Sequence, residues 1–284
     1  MLGFKKSAPC FGSLFDDGVK QRYIQALVRI KVCKSKVDKE NTVFKLLSNG
    51  NLCVANRNSN ETMFKIGVFD KDINQLVRKP CEMSNVHRRI QLVELNKTVV
   101  LCLFDNDDGE DVPCSSRIVK YDFDLNFLGE CEFAFEIIHA NEHQDKLYLL
   151  ARSSDRKSRH IYVYDESLTM LEFIQLNSSE GPPFYIPNTA TRMRVAEKFF
   201  VFLDGTNVLL MDRLDGMIKR TFCIGSSDFV LDSRNDRVMA YDGKTKKLVC
   251  FDFEGESFEI SISNMKNVKL VDYGHDRFMF CLYF

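Results

Sequence analysis

A strand, an aspartate turn and a second strand recur five times along the chain. The copies read KIGVFDKDINQLV, RIVKYDFDLNFLG, RHIYVYDESLTMLEFI, NVLLMDRLDGMIK and KLVCFDFEGESFE, and they align on Asp70, Asp122, Asp165, Asp212 and Asp252. The aspartates are 52, 43, 47 and 40 residues apart. This period constrains the fold more than any other feature, because a small repeat has to bury its apolar faces against neighbouring copies.

Three further positions recur around each aspartate. The residue before it is aromatic or large and apolar: Phe69, Tyr121, Tyr164, Met211 and Phe251. The sixth residue after it is apolar: Leu76, Leu128, Leu171, Ile218 and Phe258. The fifth residue before it is basic or polar: Lys65, Arg117, His160, Asn207 and Lys247. Because aspartate accepts hydrogen bonds from nearby backbone N–H groups in turns, we predict a structural role for these carboxylates.

An apolar hairpin with a polar tip precedes each copy. The hairpins begin at Phe44, Ile90, Ile137, Met193 and Phe229, and a sixth, VKLVDYGHDRFMFCLYF, begins at Val268. Each repeat therefore predicts four short antiparallel strands, and no helical period longer than two turns is present. Four strands per unit at a period of about 45 residues predict an all-β fold, a β-propeller.

The repeat resembles the NHL repeat, which combines a strand pair of the form GNIYVAD with a later RIxVFD. The matching segments are NGNLCVAN with KIGVFD, and NDRVMAYD with KLVCFD. Lysines replace family glycines at Lys146 and Lys198, and Asn207 replaces an arginine. WD40 repeats fit less well, since the chain has no tryptophan. The resemblance implies a propeller like the C-terminal domain of tripartite-motif NHL proteins, some of which bind RNA and others proteins.

Residues 1–284 are predicted to form a single domain. Residues 41–284 hold five full repeats and a half repeat, and residues 1–40 would supply the two missing strands. The N-terminal match is either SLFDDGVKQRYIQAL or RIKVCK. A six-bladed ring, with a closing blade shared between the N- and C-termini, would avoid an unpaired sheet edge. The alternative is a fragment whose last blade is cut short.

The composition limits which kinds of partner and which cellular location are expected. The formal net charge is −1, which predicts no DNA binding. No apolar run reaches the roughly 18 residues of a membrane span, so no membrane association is expected. The ten cysteines occur without a C-x-x-C motif. Since single cysteines in apolar strands pack as small hydrophobes, they favour a cytoplasmic location.

No pattern indicates catalysis or a cofactor. Nucleophile-elbow and phosphate-loop motifs are absent from the sequence. His139 and His143 have H-x-x-x-H spacing, but they fall on a predicted hairpin and lack a third ligand. The acidic loop Asp105–Asp111 lacks the order of a calcium loop. A lyase activity like that of a secreted, metal-dependent NHL-like family would need clustered histidines. We therefore predict no enzyme activity, no metal and no cofactor.

The connections of a propeller alternate between two faces. One face, here called the blade-connecting face, carries the loops between second and third strands and between successive blades. We predict that it binds a protein partner through residues Arg57, Arg88, Arg89, Arg152, Arg156, Lys157, Arg159, Phe184, Tyr185 and Arg192. Single-stranded RNA is the alternative ligand, because arginines attract phosphates and aromatic rings stack on bases. The opposite face carries the acidic aspartate turns.

Overall fold

The structure is a computed structural model of the chain, and every secondary-structure element in its described part is a β-strand. It describes residues 42–57, 63–70, 74–82, 87–105, 116–153, 158–175, 189–224, 229–232, 236–242, 245, 247–261, 268–272 and 278–282. These residues form five four-stranded antiparallel sheets and one two-stranded sheet. The predicted all-β class and the four strands per repeat are confirmed.

Strands follow one another in each sheet in chain order. The first sheet contains β1 to β4, at Thr42–Leu46, Leu52–Arg57, Met63–Phe69 and Gln75–Glu82. The second contains β5 to β8, at His87–Leu95, Thr98–Asp105, Ser116–Tyr121 and Phe127–Phe133. The third contains β9 to β12, at Glu136–His143, Lys146–Arg152, Arg159–Tyr164 and Met170–Gln175.

The remaining sheets repeat the same order. The fourth contains β13 to β16, at Ala190–Val195, Phe199–Asp204, Asn207–Asp212 and Ile218–Cys223. The fifth contains β17 to β20, at Phe229–Asp232, Arg237–Asp242, Lys247–Asp252 and Ser257–Ser261. The last sheet pairs β21 with β22, at Val268–Asp272 and Phe278–Leu282. Residues 1–40, which are predicted to complete it, lie outside the described residues.

Each interior sheet is buried on both faces by its neighbours in the chain. Four apolar clusters join the first sheet to the second, the second to the third, the third to the fourth and the fourth to the fifth. The middle strands therefore read as nearly continuous apolar runs, as in LYLLA of β10 and FVFL of β14. A strand buried on both faces cannot alternate apolar with polar residues.

The first strand of each sheet is the inner one, and inner strands contact one another. β5 contacts both β1 and β9, and β9 also contacts β13. The fourth strand is the outer edge and is largely exposed, as in β12 and β16. The apolar residues six positions after the aspartates lie here, and four of them are 38–55 % exposed: Leu76, Leu128, Leu171 and Ile218. They form the rim of the molecule and not its core.

Polar side chains on the inner strands link neighbouring sheets. The Glu94 carboxylate accepts the Ser48 N–H at 2.8 Å. The Gln91 side chain donates to the Ala140 carbonyl at 2.6 Å and accepts the Ala140 N–H at 3.0 Å. The Asn141 carbonyl oxygen accepts the Val195 N–H at 2.8 Å. These bonds satisfy backbone groups that no strand of the same sheet reaches.

The aspartate turns have the predicted structural role. In the second sheet the Asp122 carboxylate accepts the N–H groups of Asp124 and Asn126 at 2.9 and 2.7 Å. Asp165 accepts the N–H groups of Ser167 and Thr169 in the same way. In the first four sheets the pairing of the third and fourth strands shifts by one residue just before the turn.

Candidate partner-binding face

The order of the strands places most of the predicted binding residues at one end of the sheets. Arg57 ends β2, Arg88 and Arg89 lie near the start of β5, and Arg192 lies near the start of β13. Arg152 ends β10 and Arg159 starts β11. In an antiparallel meander, the end of the second strand and the starts of the first and third strands share one edge. This edge is the blade-connecting face.

Arg152 is held against a buried carboxylate. Its Nη1 lies 3.3 Å from Oε2 of Glu136, which starts β9 beside it. The Glu136 side chain is buried and that of Arg152 is about one-fifth exposed. The pair therefore anchors the corner of the third sheet, and only the edge of the guanidinium group is available to a ligand.

A short loop between β10 and β11 is closed by two serines. The Ser153 N–H donates to the Ser158 carbonyl at 3.0 Å, and the Ser158 N–H donates to Ser153 Oγ at 3.0 Å. Arg156 and Lys157 are in this loop and lie outside the described residues, as do Phe184 and Tyr185.

Arg159 differs from the expectation of a surface anchor. It opposes Arg152 across β10 and β11, and it is only 3 % exposed. Next to it, His160 is buried, contacts Ser158 Oγ at 3.1 Å and packs against Phe173, with 5.1 Å between ring centroids. Arg159 therefore offers little surface to a partner.

Arg89 and Arg192 lie on inner strands near the centre of the face. The Arg89 guanidinium carbon lies 5.6 Å from the centre of the Phe104 ring, and Arg89 is exposed. Arg192 is half-buried on β13. Residues 57 and 88 belong to described strands, and their side chains are outside the description.

Two residues that sequence reasoning missed lie beside these arginines. His139 on β9 and Arg194 on β13 are 7 % and 9 % exposed, and His139 Nε2 lies 3.3 Å from Arg194 Nη1. Burial lowers the pKa of His139 well below its usual range, and the charges of Arg194, Arg192 and Arg89 lower it further. The signal for His139 in the sequence was its H-x-x-x-H spacing, but this pattern concerns metal binding and does not indicate arginine neighbours.

The described side chains bring together no metal site. No group of three or more His, Cys, Asp or Glu side chains converges within the described ranges. His143 lies at the far end of β9 from the blade-connecting face, with Nε2 3.5 Å from the Glu197 carboxylate.

Among the described cysteines, the buried ones are poor nucleophiles. Burial raises the pKa of the Cys53 and Cys102 thiols far above the usual range. Because the thiolate is the reactive form of cysteine, such groups act as core residues.

No helix in the described part of the chain is long and apolar enough to cross a membrane.

The comparisons with known proteins indicate a fold, but they identify no family. No protein-family model matches the sequence, and no curated protein is significantly similar to it. Solved structures do match.

Three of the matching structures illustrate the likeness. A protein of unknown function from Bacteroides caccae has a TM-score of 0.52 and 10 % identity, over 77 % of this chain and 75 % of that chain. A streptogramin B lyase has a TM-score of 0.52 and 10 % identity, over 86 % and 76 %. A functionally unknown protein from Desulfotomaculum acetoxidans has a TM-score of 0.51 and 12 % identity, over 84 % and 74 %. At these identities the likeness shows the fold alone, and it supports a β-propeller.

Proposed function

We propose that this chain is a non-catalytic, NHL-like β-propeller that binds a protein partner through its blade-connecting face. The observation that carries the proposal is the placement of arginines from three successive sheets at one end of the sheets. Arg89, Arg152 and Arg192 lie at the blade-connecting end of the sheets. At the other end, carboxylates such as Asp122 and Asp165 are engaged by turn N–H groups. The basic face is therefore the better candidate for attracting an acidic partner surface.

We further propose that the ring has six blades and that residues from the N-terminus complete the last one. Leu46, Leu52 and Val54 support this, because they are buried on the face of the first sheet that points away from the second. An apolar face of this kind requires a covering sheet. The two-stranded sheet of β21 and β22 contacts the fifth sheet and is the natural candidate.

A reducing, cytosolic environment is part of the proposal. The described cysteines are free thiols, and most of them are buried within apolar strands. A secreted chain usually pairs its cysteines, whereas cytosolic chains keep them reduced.

Single-stranded RNA is the second candidate ligand. Phe173 on β12 is nearly half exposed, and its ring packs against both His160 and Tyr162. An exposed ring can stack on a base, which contributes ~1–3 kcal/mol per base.

Charge reversal on each face tests the proposal. The face variant combines Arg89→Glu, Arg156→Glu and Lys157→Glu. The matched control combines Lys97→Glu, Lys146→Glu and Lys198→Glu, three exposed lysines in or directly beside the turns at the opposite end of the sheets. We expect a cytosolic protein that binds wild type and control, and whose affinity for the face variant is at least about tenfold weaker.

The outcomes separate the two ligands. A partner that binds all three proteins equally contradicts a role for the blade-connecting face. The same three proteins are titrated with a random single-stranded RNA pool at low and physiological salt. Salt-sensitive RNA binding that only the face variant loses would make RNA the ligand in place of a protein.

A further inference from the structure

Three neighbouring inner strands carry the same irregularity. The pairing of β5 with β6 skips Arg88, the pairing of β9 with β10 skips Ile138, and the pairing of β13 with β14 skips Thr191. In the described pairings, the inner strands of the first and fifth sheets run without such a shift. A bulge of one residue re-aims the side chain that follows it.

A basic residue directly follows each bulge. These residues are Arg89, His139 and Arg192, one from each of three consecutive inner strands. Two positions further along β13 lies Arg194, which contacts His139. The three basic residues therefore hold equivalent positions on successive inner strands, and Arg89 and Arg192 are near enough to His139 for their charges to lower its pKa.

The contact between Arg194 and His139 determines the tautomer of the imidazole ring. A guanidinium group can only donate hydrogen bonds, so His139 Nε2 accepts from Arg194 Nη1 at 3.3 Å. The proton of the neutral ring then lies on Nδ1. Among the described residues, this buried Nδ1 has no hydrogen-bond partner. A buried donor without an acceptor is costly, and it indicates a missing acceptor.

The charges that act on His139 in the described structure are positive. Arg194, Arg192 and Arg89 all lower its pKa. Arg192 and Arg194 take part in other contacts as well, so an added anion would join an existing network. The neighbouring backbone is fixed, because Gln91 holds Ala140 and Asn141 holds Val195.

We propose that Arg89, His139, Arg192 and Arg194 form a binding site for a phosphate group at the centre of the inner strands. Three guanidinium groups and an imidazole N–H supply several donors from different directions. A tetrahedral dianion matches this set better than a carboxylate, which presents two oxygens in one plane. The phosphate is either free or part of a small monoester. The site goes beyond the proposed function, since it needs no protein partner.

Selective ¹⁵N labelling of histidine provides the test. Wild-type protein is titrated with inorganic phosphate and, separately, with O-phosphoserine at constant ionic strength, and the imidazole nitrogen shifts of His139 are followed. We expect a saturable change at His139, because Nδ1–H becomes a donor to the anion. Tighter binding of O-phosphoserine would identify a monoester as the ligand, and tighter binding of phosphate would identify the free anion.

Three variants complete the test. Arg89→Met removes an exposed charge and should weaken phosphate binding by about tenfold, as expected for loss of one charge-assisted hydrogen bond. Arg194→Met should do the same, and far-ultraviolet circular dichroism checks that this buried substitution leaves the sheets intact. Lys146→Met, which removes one positive charge at the opposite end, should leave affinity unchanged.

Two results would overturn the proposal. One is the absence of a saturable change at His139 with either ligand. The other is an equal loss of affinity in Lys146→Met and Arg89→Met, because this would indicate unspecific attraction to charge. Neither result affects the partner-binding proposal, whose readout is a protein or RNA ligand.

Discussion

In two of the aspartate turns, a leucine adopts a backbone conformation that usually favours glycine. Leu125 and Leu168, each three residues after the aspartate, have φ angles of 58° and 62°, whereas the fifth sheet keeps Gly255 at 104°. A left-handed residue with a side chain costs roughly 1–2 kcal/mol. Leu125 is fully buried in the cluster between the first and second sheets, and burying a leucine contributes about 1.5–3 kcal/mol. Burial therefore offsets the strain, and it explains why a repeat glycine is missing from the sequence.

The aspartate of the second sheet offers a test at this scale. Burial raises the pKa of Asp122, but hydrogen bonds from Asn126 and Asp124 outweigh this effect and lower it overall. We expect Asp122→Ala to lower Tm at pH 7 by about 2–4 °C, the effect of losing a few exposed hydrogen bonds in a domain of this size. The exposed neighbour Asp124→Ala is the matched control and should leave Tm nearly unchanged.

The stabilisation by the Asp122 carboxylate depends on pH. Because the folded-state pKa of Asp122 lies below the unfolded value of about 3.9, its contribution is complete above that value and is lost as the pH falls through the folded-state pKa. Thermal unfolding of wild type and variant between neutral and acidic pH measures this. A Tm difference that persisted at the lowest pH would show that the carboxylate is not the stabilising group.

The sequence predicts the environment of a residue where that environment depends on residues close to it in the chain. The role of Asp122 follows from residues within four positions of it, and the structure confirms it. The burial of Arg159 depends on the packing of whole strands, and a run of charged residues in the sequence does not reveal it. The sequence suggests His139 only as a metal ligand, since its arginine neighbours come from strands more than 45 residues away.

At the scale of elements, side chains on the inner strands connect one sheet to the next. Gln91 on β5 makes two hydrogen bonds with the backbone of Ala140 on β9, as a neighbouring strand would do. Asn141 repeats the arrangement one sheet later with Val195. These contacts align adjacent sheets and bring the residues that follow the bulges close together.

Removing one link should destabilise the whole domain. Gln91→Ala would leave the N–H and C=O of the buried Ala140 without these partners. We expect the free energy of unfolding to fall by about 1–3 kcal/mol, as measured by urea denaturation. Gln75→Ala, at an exposed glutamine on β4, is the control and should change it little. Equal effects of both substitutions would contradict a linking role for Gln91.

Strand order was predictable and strand irregularity was not. The aspartate spacing and the apolar hairpins define four strands per repeat, because both signals arise within about 30 neighbouring residues. The bulges at Arg88, Ile138 and Thr191 leave no common signal in the sequence. They depend on how three sheets pack together, so the sequence alone does not lead to the site that we propose there.

For the whole molecule, the main question is how the ring closes. Among the described residues, the first sheet buries Leu46, Leu52 and Val54 on the face away from the second sheet, and the last sheet has two strands. The six-bladed ring with a shared blade, predicted from the repeats, would place residues from 1–40 beside β22. The likeness to solved structures supports a propeller.

Hydrogen exchange at β22 tests the closure directly. β22 pairs with β21 through one edge, from Phe278 opposite Asp272 to Leu282 opposite Val268. In an antiparallel pair, alternate N–H groups point away from the partner strand. If residues 1–40 pair with the free edge, all amides of β22 should be protected in the full chain. In a chain lacking residues 1–40, the outward amides should exchange at least about tenfold faster, equivalent to ~1.4 kcal/mol of local stability.

The amides of β10 and β14 serve as internal controls and should keep their protection, since both strands are central in their own sheets. Identical protection of β22 in the two chains would show that the N-terminal segment does not close the ring, and the last sheet would then have another neighbour or an open edge.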